Sequence, residues 1–204
     1  MERINLNSKE LNKLQPNFIG AWNIKNDNLC KEIINFFENN LILHKKGMVA
    51  SGLDQKKKKT TEIPINPKDL KKPEFKYINN YVDELYNCYI DYQLQWPFLK
   101  DVIKEVHVGS FNIQKYFPGD HFSKVHTERS CIETSHRILA WMTYLNDVDN
   151  GGTTNFTHYD VKVKPEIGKT LIWPAEWTHA HSGEVVNSGV KYIVTGWIHF
   201  PHNK

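Results

Sequence analysis

The chain has 204 residues, 40% hydrophobic and 24% charged, which is ordinary globular composition and the size of one domain. Its 26 basic and 23 acidic residues leave a net charge of only +3, too even to name nucleic acid or an anionic membrane as the main partner. No stretch approaches the ~20 apolar residues of a membrane span.

The opening residues, Met1 to Asn17, contain no apolar run of the secretory kind. Cys30, Cys88 and Cys131 are scattered and odd in number, with no C-x-x-C pair. Together these features point to a reducing cytoplasm and to thiols that serve as small hydrophobes.

In chain order, residues 1–100 read as helices joined by polar loops. Leu29 to Asn39 places Ile33, Ile34, Phe36 and Phe37 along a helical stripe, with Asp27 as the candidate N-cap. Val82, Leu85, Tyr86, Tyr89 and Ile90 predict a second amphipathic helix that stops before Pro97. Between them lies an irregular segment, Lys45 to Pro67, with the run Lys56 to Lys59. Such a run is read as a solvated loop, with a flap over a site as the alternative.

From residue 101 the hydrophobic period becomes two. Val102–Val108, Phe111–Phe117, Arg137–Leu145, Val161–Val163, Thr170–Trp173 and Val190–His199 are predicted strands. Turn signals separate them at Pro118-Gly119, Asn150-Gly151-Gly152, Gly168 and Gly189. No helical pattern interrupts them, which argues against a parallel sheet. The expectation is a single domain over 1–204, mainly β with N-terminal helices (α+β). A jelly-roll core occupies 101–204 and is faced by a helical and loop region over 1–100.

The histidines carry the chemistry. His126 and Glu128 stand two apart on an extended segment, so imidazole and carboxylate can meet one ion. A distant histidine, His179 or His181, would complete a facial triad of the kind found in non-haem iron oxygenases. His158-Tyr159-Asp160 is a rival pair. Lys191 lies in an otherwise apolar strand, where an inward ammonium needs an anion and an outward one needs nothing. Tyr116 ends another strand and could reach the same anion.

Taken together, the segment from Phe111 to about Phe200 resembles the Fe(II)/2-oxoglutarate-dependent oxygenases of the prolyl 4-hydroxylase-like branch. The resemblance runs through Tyr116-Phe117-Pro118-Gly119, His126-Thr127-Glu128, Arg137, Met142 to Leu145, Gly151 to Phe156, Pro165 to Gly168, His181-Ser182-Gly183, Gly189-Val190-Lys191 and Trp197. It implies a double-stranded β-helix fold and a dioxygenase, with Fe(II) held by His126, Glu128 and His181. Lys191 would pair with the distal carboxylate of 2-oxoglutarate, and Tyr116 would hydrogen-bond it. Arg137 and Trp197 are substrate-side candidates. His181 is preferred because the distal histidine of that family precedes x-Gly and stands ten before the lysine.

Glu128 departs from the usual aspartate of that family. The implied reaction consumes O2 and 2-oxoglutarate, hydroxylates a prolyl residue or similar aliphatic C–H in a peptide or small molecule, and releases succinate and CO2, with ascorbate a candidate reductant. Three other readings stand beside it. A nucleic-acid demethylase would call for arginines near Lys191. A zinc hydrolase would leave Lys191 without a role. A non-catalytic jelly-roll metal- or ligand-binding module would make Glu128 the mark of a decayed site.

Overall fold

A computed structural model of the chain describes residues 1–6, 16–49 and 52–201. Part of the opening stretch and two positions of the Lys45–Pro67 segment therefore lie outside the described residues. In chain order the strands are β1 (Glu2–Ile4), β2 (Gly20–Asn23), β3 (Lys45–Lys46), β4 (Thr61–Ile65), β5 (His107–Val108), β6 (Phe111–Tyr116) and β7 (Phe122–His126). They continue with β8 (Arg137–Tyr144), β9 (Thr154–Phe156), β10 (Val161–Val163), β11 (Lys169–Pro174), β12 (His181–Gly183) and β13 (Lys191–His199). Three helices, α1 (Asp27–Asn39), α2 (Lys76–Gln95) and α3 (Pro97–Val102), accompany them.

The strands form two antiparallel sheets. The larger runs β1-β2-β11-β8-β13-β6-β4-β3, with β5 also on β13, and the smaller runs β10-β9-β12-β7. This is the expected double-stranded β-helix. Alternation along β13 divides the interior into two layers. Val194 and Ile198 turn outward and pack with Phe111, Ile113 and Trp141 against α1 and α2. Ile193 turns inward with Tyr116, Met142, Tyr144 and Trp173, toward Phe156 of the smaller sheet.

Helix α1 buries Leu29, Cys30, Ile33 and Phe37, the four-residue spacing of one face. Its N-cap is Asn26, whose side chain accepts from Leu29 N, while Asp27 occupies the first turn. Helix α2 buries Ile78, Tyr81, Leu85, Cys88, Tyr89 and Tyr92. Tyr86 and Ile90, assigned to its inner stripe on periodicity, are exposed. Tyr81 explains the preference, because its hydroxyl meets Thr143 Oγ1 at 2.7 Å, and Thr143 meets Thr170 Oγ1 at 2.7 Å. This buried hydroxyl chain ties α2 to β8 and β11.

Three expectations are corrected. Residues 1–100 are not only helices and loops, since β1 to β4 all join the larger sheet. Such short strands carry too little alternation to be seen, and in β4 Pro64 obscured the pattern. The strand expected over Val102–Val108 is instead the end of α3, a connection and the two-residue β5. The lysine run is not uniformly solvated. Lys59 pairs backbone to backbone with His121, and Lys58 is buried. Among the described residues no helix is long and apolar enough to cross a membrane.

Gly196 marks the tightest point of the outer layer. A Cβ there would lie 2.5 Å from Phe111 Cβ and 2.7 Å from Trp141 Cζ2. Gly196→Ala is expected to cost about 1–3 kcal/mol by overpacking, read as a lowered midpoint in urea unfolding.

Candidate metal and anion site

Antiparallel pairing builds the centre of the site. His126 closes β7, His181 opens β12, and the two are direct register partners. Their rings therefore lie side by side, with centroids 4.3 Å apart. Each ring is oriented by a carbonyl two residues back: Nδ1 of His126 donates to Lys124 O and Nδ1 of His181 to His179 O, both at 2.9 Å. A carbonyl can only accept, so the proton sits on Nδ1 and the neutral ring presents a bare Nε2.

Glu128 lies just past β7. Its Oε1 is 3.5 Å from His126 Nε2 and 3.3 Å from His181 Nε2. Its Oε2 accepts from Trp197 Nε1 at 2.8 Å. Arg137 packs its guanidinium 3.6 Å from the centre of the Trp197 ring and donates to the Glu128 carbonyl at 2.8 Å. Burial raises the Glu128 carboxyl, but hydrogen bonds and positive charge from the imidazoles, when Nε2 carries a proton, more than reverse this and hold it well below the carboxylate range.

Three ligand atoms thus converge within 4.8 Å of one another. Without an added cation, Oε1 is satisfied only by protonating a ring. A divalent cation satisfies all three atoms at once, and two imidazoles with one carboxylate suit Fe(II). The donor set fits that metal. The side chains of His126 and Glu128 keep 16% exposure, so the centre is reachable from solvent.

Lys191 lines the same pocket. It faces the inner layer on β13, is only 3% exposed, and has Tyr116 as its register partner on β6. Its ammonium donates to Gly152 O at 3.0 Å and lies 4.4 Å from the Tyr116 ring centre. With one carbonyl acceptor among the described residues for three donors, and Glu184 acting only at a distance, this buried cation is poorly compensated. Burial accordingly pulls Lys191 down to about 8. A carboxylate arriving beside it would supply the missing charge, which is the fit expected for the far end of a dicarboxylic 2-oxoacid.

The remaining candidates separate cleanly. Tyr116 is beside Lys191, but its hydroxyl donates to Gln114 Oε1 at 2.7 Å. Burial, reinforced by Glu62, raises that phenol far above its usual value. His179 is buried, its Nε2 donates to Asn17 O at 2.8 Å, and its carbonyl accepts from His181 Nδ1. His158 and Asp160 are exposed and take no part.

Sequence reasoning missed Lys58, Gln114 and Phe122, all of which line the pocket. It also missed Glu62, which pairs with Lys58 at 2.6 Å. Phe122 stacks on the His126 ring at 3.8 Å and lies under the Lys58 ammonium at 5.1 Å. Gln114 was within reach of sequence reasoning, since it stands two residues from Tyr116 on one strand and must face the same way.

Comparison with known proteins agrees with this geometry. Residues 111–199 match the model of the 2OG-Fe(II) oxygenase superfamily. A probable prolyl 4-hydroxylase 9 of Arabidopsis thaliana is 29% identical over 48% of this chain and 43% of its own length. Human prolyl 4-hydroxylase subunit alpha-1 is 29% identical over 32% of this chain and 14% of its own length. The chain spans less than half the length of these curated relatives. Among solved structures, a viral collagen prolyl hydroxylase from Paramecium bursaria Chlorella virus-1, in complex with 2OG, superposes with a TM-score of 0.66 at 18% identity. That superposition covers 90% of this chain and 97% of that one. A Trichoplax adhaerens prolyl hydroxylase, bound to a hypoxia inducible factor peptide fragment, gives 0.70 at 14% identity, covering 92% and 86%. Over residues 111–199 the chain is thus similar to the 2OG-Fe(II) oxygenase superfamily, and over nearly its whole length it shares the fold of the solved prolyl hydroxylases.

Proposed function

We propose that this protein is an Fe(II)- and 2-oxoglutarate-dependent dioxygenase that hydroxylates an aliphatic C–H, with a prolyl residue in a peptide as the first substrate to test. The observation that carries the reading is a three-ligand cluster, His126, Glu128 and His181, in one pocket with an undercompensated buried lysine. The prolyl hydroxylases among its relatives support the substrate choice. Bound Fe(II) with 2-oxoglutarate and O2 would supply the oxidising power, releasing succinate and CO2.

The protein's own part is positioning. His126, Glu128 and His181 would hold the metal from one side, leaving the opposite side for ligands. Lys191 would fix the distal carboxylate, so the 2-oxoacid end is presented to the metal in one orientation. Trp197 holds Glu128 Oε2 and thereby leaves Oε1 as the ligand atom. Arg137 steadies Trp197 and the Glu128 carbonyl rather than standing free for substrate. We place the whole chain in one domain, and its two buried, unpaired thiols, Cys30 and Cys88, suit a cytoplasmic setting.

The deciding experiment is anaerobic titration of the apoprotein with Fe(II) and 2-oxoglutarate, read by the visible metal-to-ligand charge-transfer band. A band in the wild type that weakens in both Glu128→Ala and Lys191→Ala is expected. No band and no bound metal would favour the non-catalytic binding module. Trp197→Phe frees Oε2, and Fe(II) affinity should fall about 10–100-fold, as for other partners of metal ligands, measured by competition with a chelator. Lys191 binds an anion as the ammonium, so protonation precedes binding above about pH 8. 2-Oxoglutarate affinity should therefore hold below that pH and fall toward tenfold per unit above it. Lys191→Arg should abolish this fall.

A further inference from the structure

Beyond the metal ligands and Lys191, the pocket wall carries a line of polar contacts that those roles do not require. It begins outside the family segment. Lys58 Nζ lies 2.6 Å from Glu62 Oε1, with both side chains nearly buried. Glu62 Oε1 also accepts from Gln114 Nε2 at 2.9 Å. Gln114 Oε1 in turn accepts from the Tyr116 hydroxyl at 2.7 Å. Tyr116 is the register partner of Lys191.

The order of donors and acceptors along this line is forced. An ammonium only donates and a carboxylate only accepts, so Glu62 turns the amide nitrogen of Gln114 toward itself. The amide oxygen must then face Tyr116, whose hydroxyl has one hydrogen and gives it to Gln114. The Thr60 side chain also hydrogen-bonds this hydroxyl, and with the hydrogen on Gln114, what Tyr116 can turn toward the anion site is a lone pair. A buried ion pair such as Lys58–Glu62 is weak evidence for stability, because an apolar pair of similar volume often serves as well. Its presence at this point calls for another role.

We propose that Lys58, Glu62 and Gln114 are positioning residues that keep the Tyr116 hydroxyl hydrogen away from the anion site, so that Lys191 alone anchors a distal carboxylate and the co-substrate is held less tightly than the pocket allows. This rests on the dioxygenase reading and departs from the simple expectation that Tyr116 hydrogen-bonds the co-substrate. It makes Glu62 and Lys58, contributed by β4 and the loop before it, determinants of 2-oxoglutarate affinity without their touching the ligand.

The test is anaerobic equilibrium dialysis of 2-oxoglutarate against Fe(II)-loaded protein, which reads binding without turnover. Gln114→Met removes the acceptor and frees the hydrogen for the carboxylate. Affinity should rise about tenfold or more, the usual worth of a hydrogen bond to a charged group. Adding Tyr116→Phe should erase the gain. Pyruvate, which has no distal carboxylate, should bind both variants and the wild type alike. A merely structural role for Gln114 predicts the opposite sign, so unchanged or weaker binding overturns the proposal, as does a gain that survives Tyr116→Phe. Should Gln114→Met not fold, the paired variant Lys58→Met with Glu62→Leu frees the amide to rotate and should show the same gain; its absence overturns the proposal equally. A wild type that binds no 2-oxoglutarate at all instead overturns the dioxygenase reading, and the relay with it.

Discussion

The period-two alternation of β13 is the constraint on which the rest depends. One strand serves two layers that want opposite chemistry. Tyr192, Val194 and Gly196 look toward the helices, where the packing is apolar and, at Gly196, tight enough to exclude a methyl group. Lys191, Ile193, Thr195 and Trp197 look into the pocket. A slip of one residue would put the ammonium into the helix layer and Val194 into the site. The register is held on both flanks, by β6 from Lys191 to Thr195 and by β8 from Ile193 to His199. Packing in the outer layer is therefore what aims the inner one, and the distance along β13 from Lys191 to Trp197 sets the spacing between anion site and metal site.

The smaller sheet works under a different economy. Its strands are short, and β12 has hardly any apolar surface of its own, yet it carries His181. Its stability comes from its neighbours. β12 pairs with both β7 and β9, and the rings of Phe156 and Trp173 lie 5.7 Å and 5.1 Å from the His181 ring. The imidazoles are fixed by pairing, by ring packing and by carbonyls on Nδ1 before any metal arrives. Such preorganisation would let the proposed ligands take up a metal without losing rotamer freedom at that moment.

How much of this could be read from the sequence depends on how far the physical signal reaches along the chain. β6, β8, β11 and β13 were legible because they are long, buried and alternating. The meeting of His126 and Glu128 was legible because they share a face by period alone, while the choice of His181 as their third partner rested on a family resemblance. β1 to β4 were not legible, since strands of two to five residues take their order from pairing partners remote in the chain. Lys58 was missed for the same reason. Within a run of four lysines nothing local distinguishes it from Lys57 or Lys59, and only the fold reveals that it turns inward while Lys57 meets Asp54 and Lys59 meets Asp120. Trp197 was assigned to the substrate side, and its hydrogen bond to Glu128 depends on a contact across 69 positions.

Two of the buried lysines, Lys58 and Lys191, show how the fold uses one residue type for opposite ends. Lys58 lines the pocket with its counter-charge built in, in Glu62. Lys191 has a carbonyl and an aromatic face but no carboxylate within hydrogen-bond reach, and burial pulls it down accordingly. A cation that the fold fails to neutralise is a cost to the empty protein and an advantage on binding, because an incoming carboxylate recovers what desolvation took. The difference arises from the strands on which their partners stand. Glu62 lies on β4, beside Gln114 of β6, whereas Lys191 lies between Tyr116 on β6 and the Gly151-Gly152 turn, and Glu184 acts on it only from beyond hydrogen-bond reach. At Gly152 a side chain would approach the Lys191 stem at 3.3 Å, and its φ of +71° favours glycine. The bare turn thus keeps space beside the ammonium for the ligand that completes it.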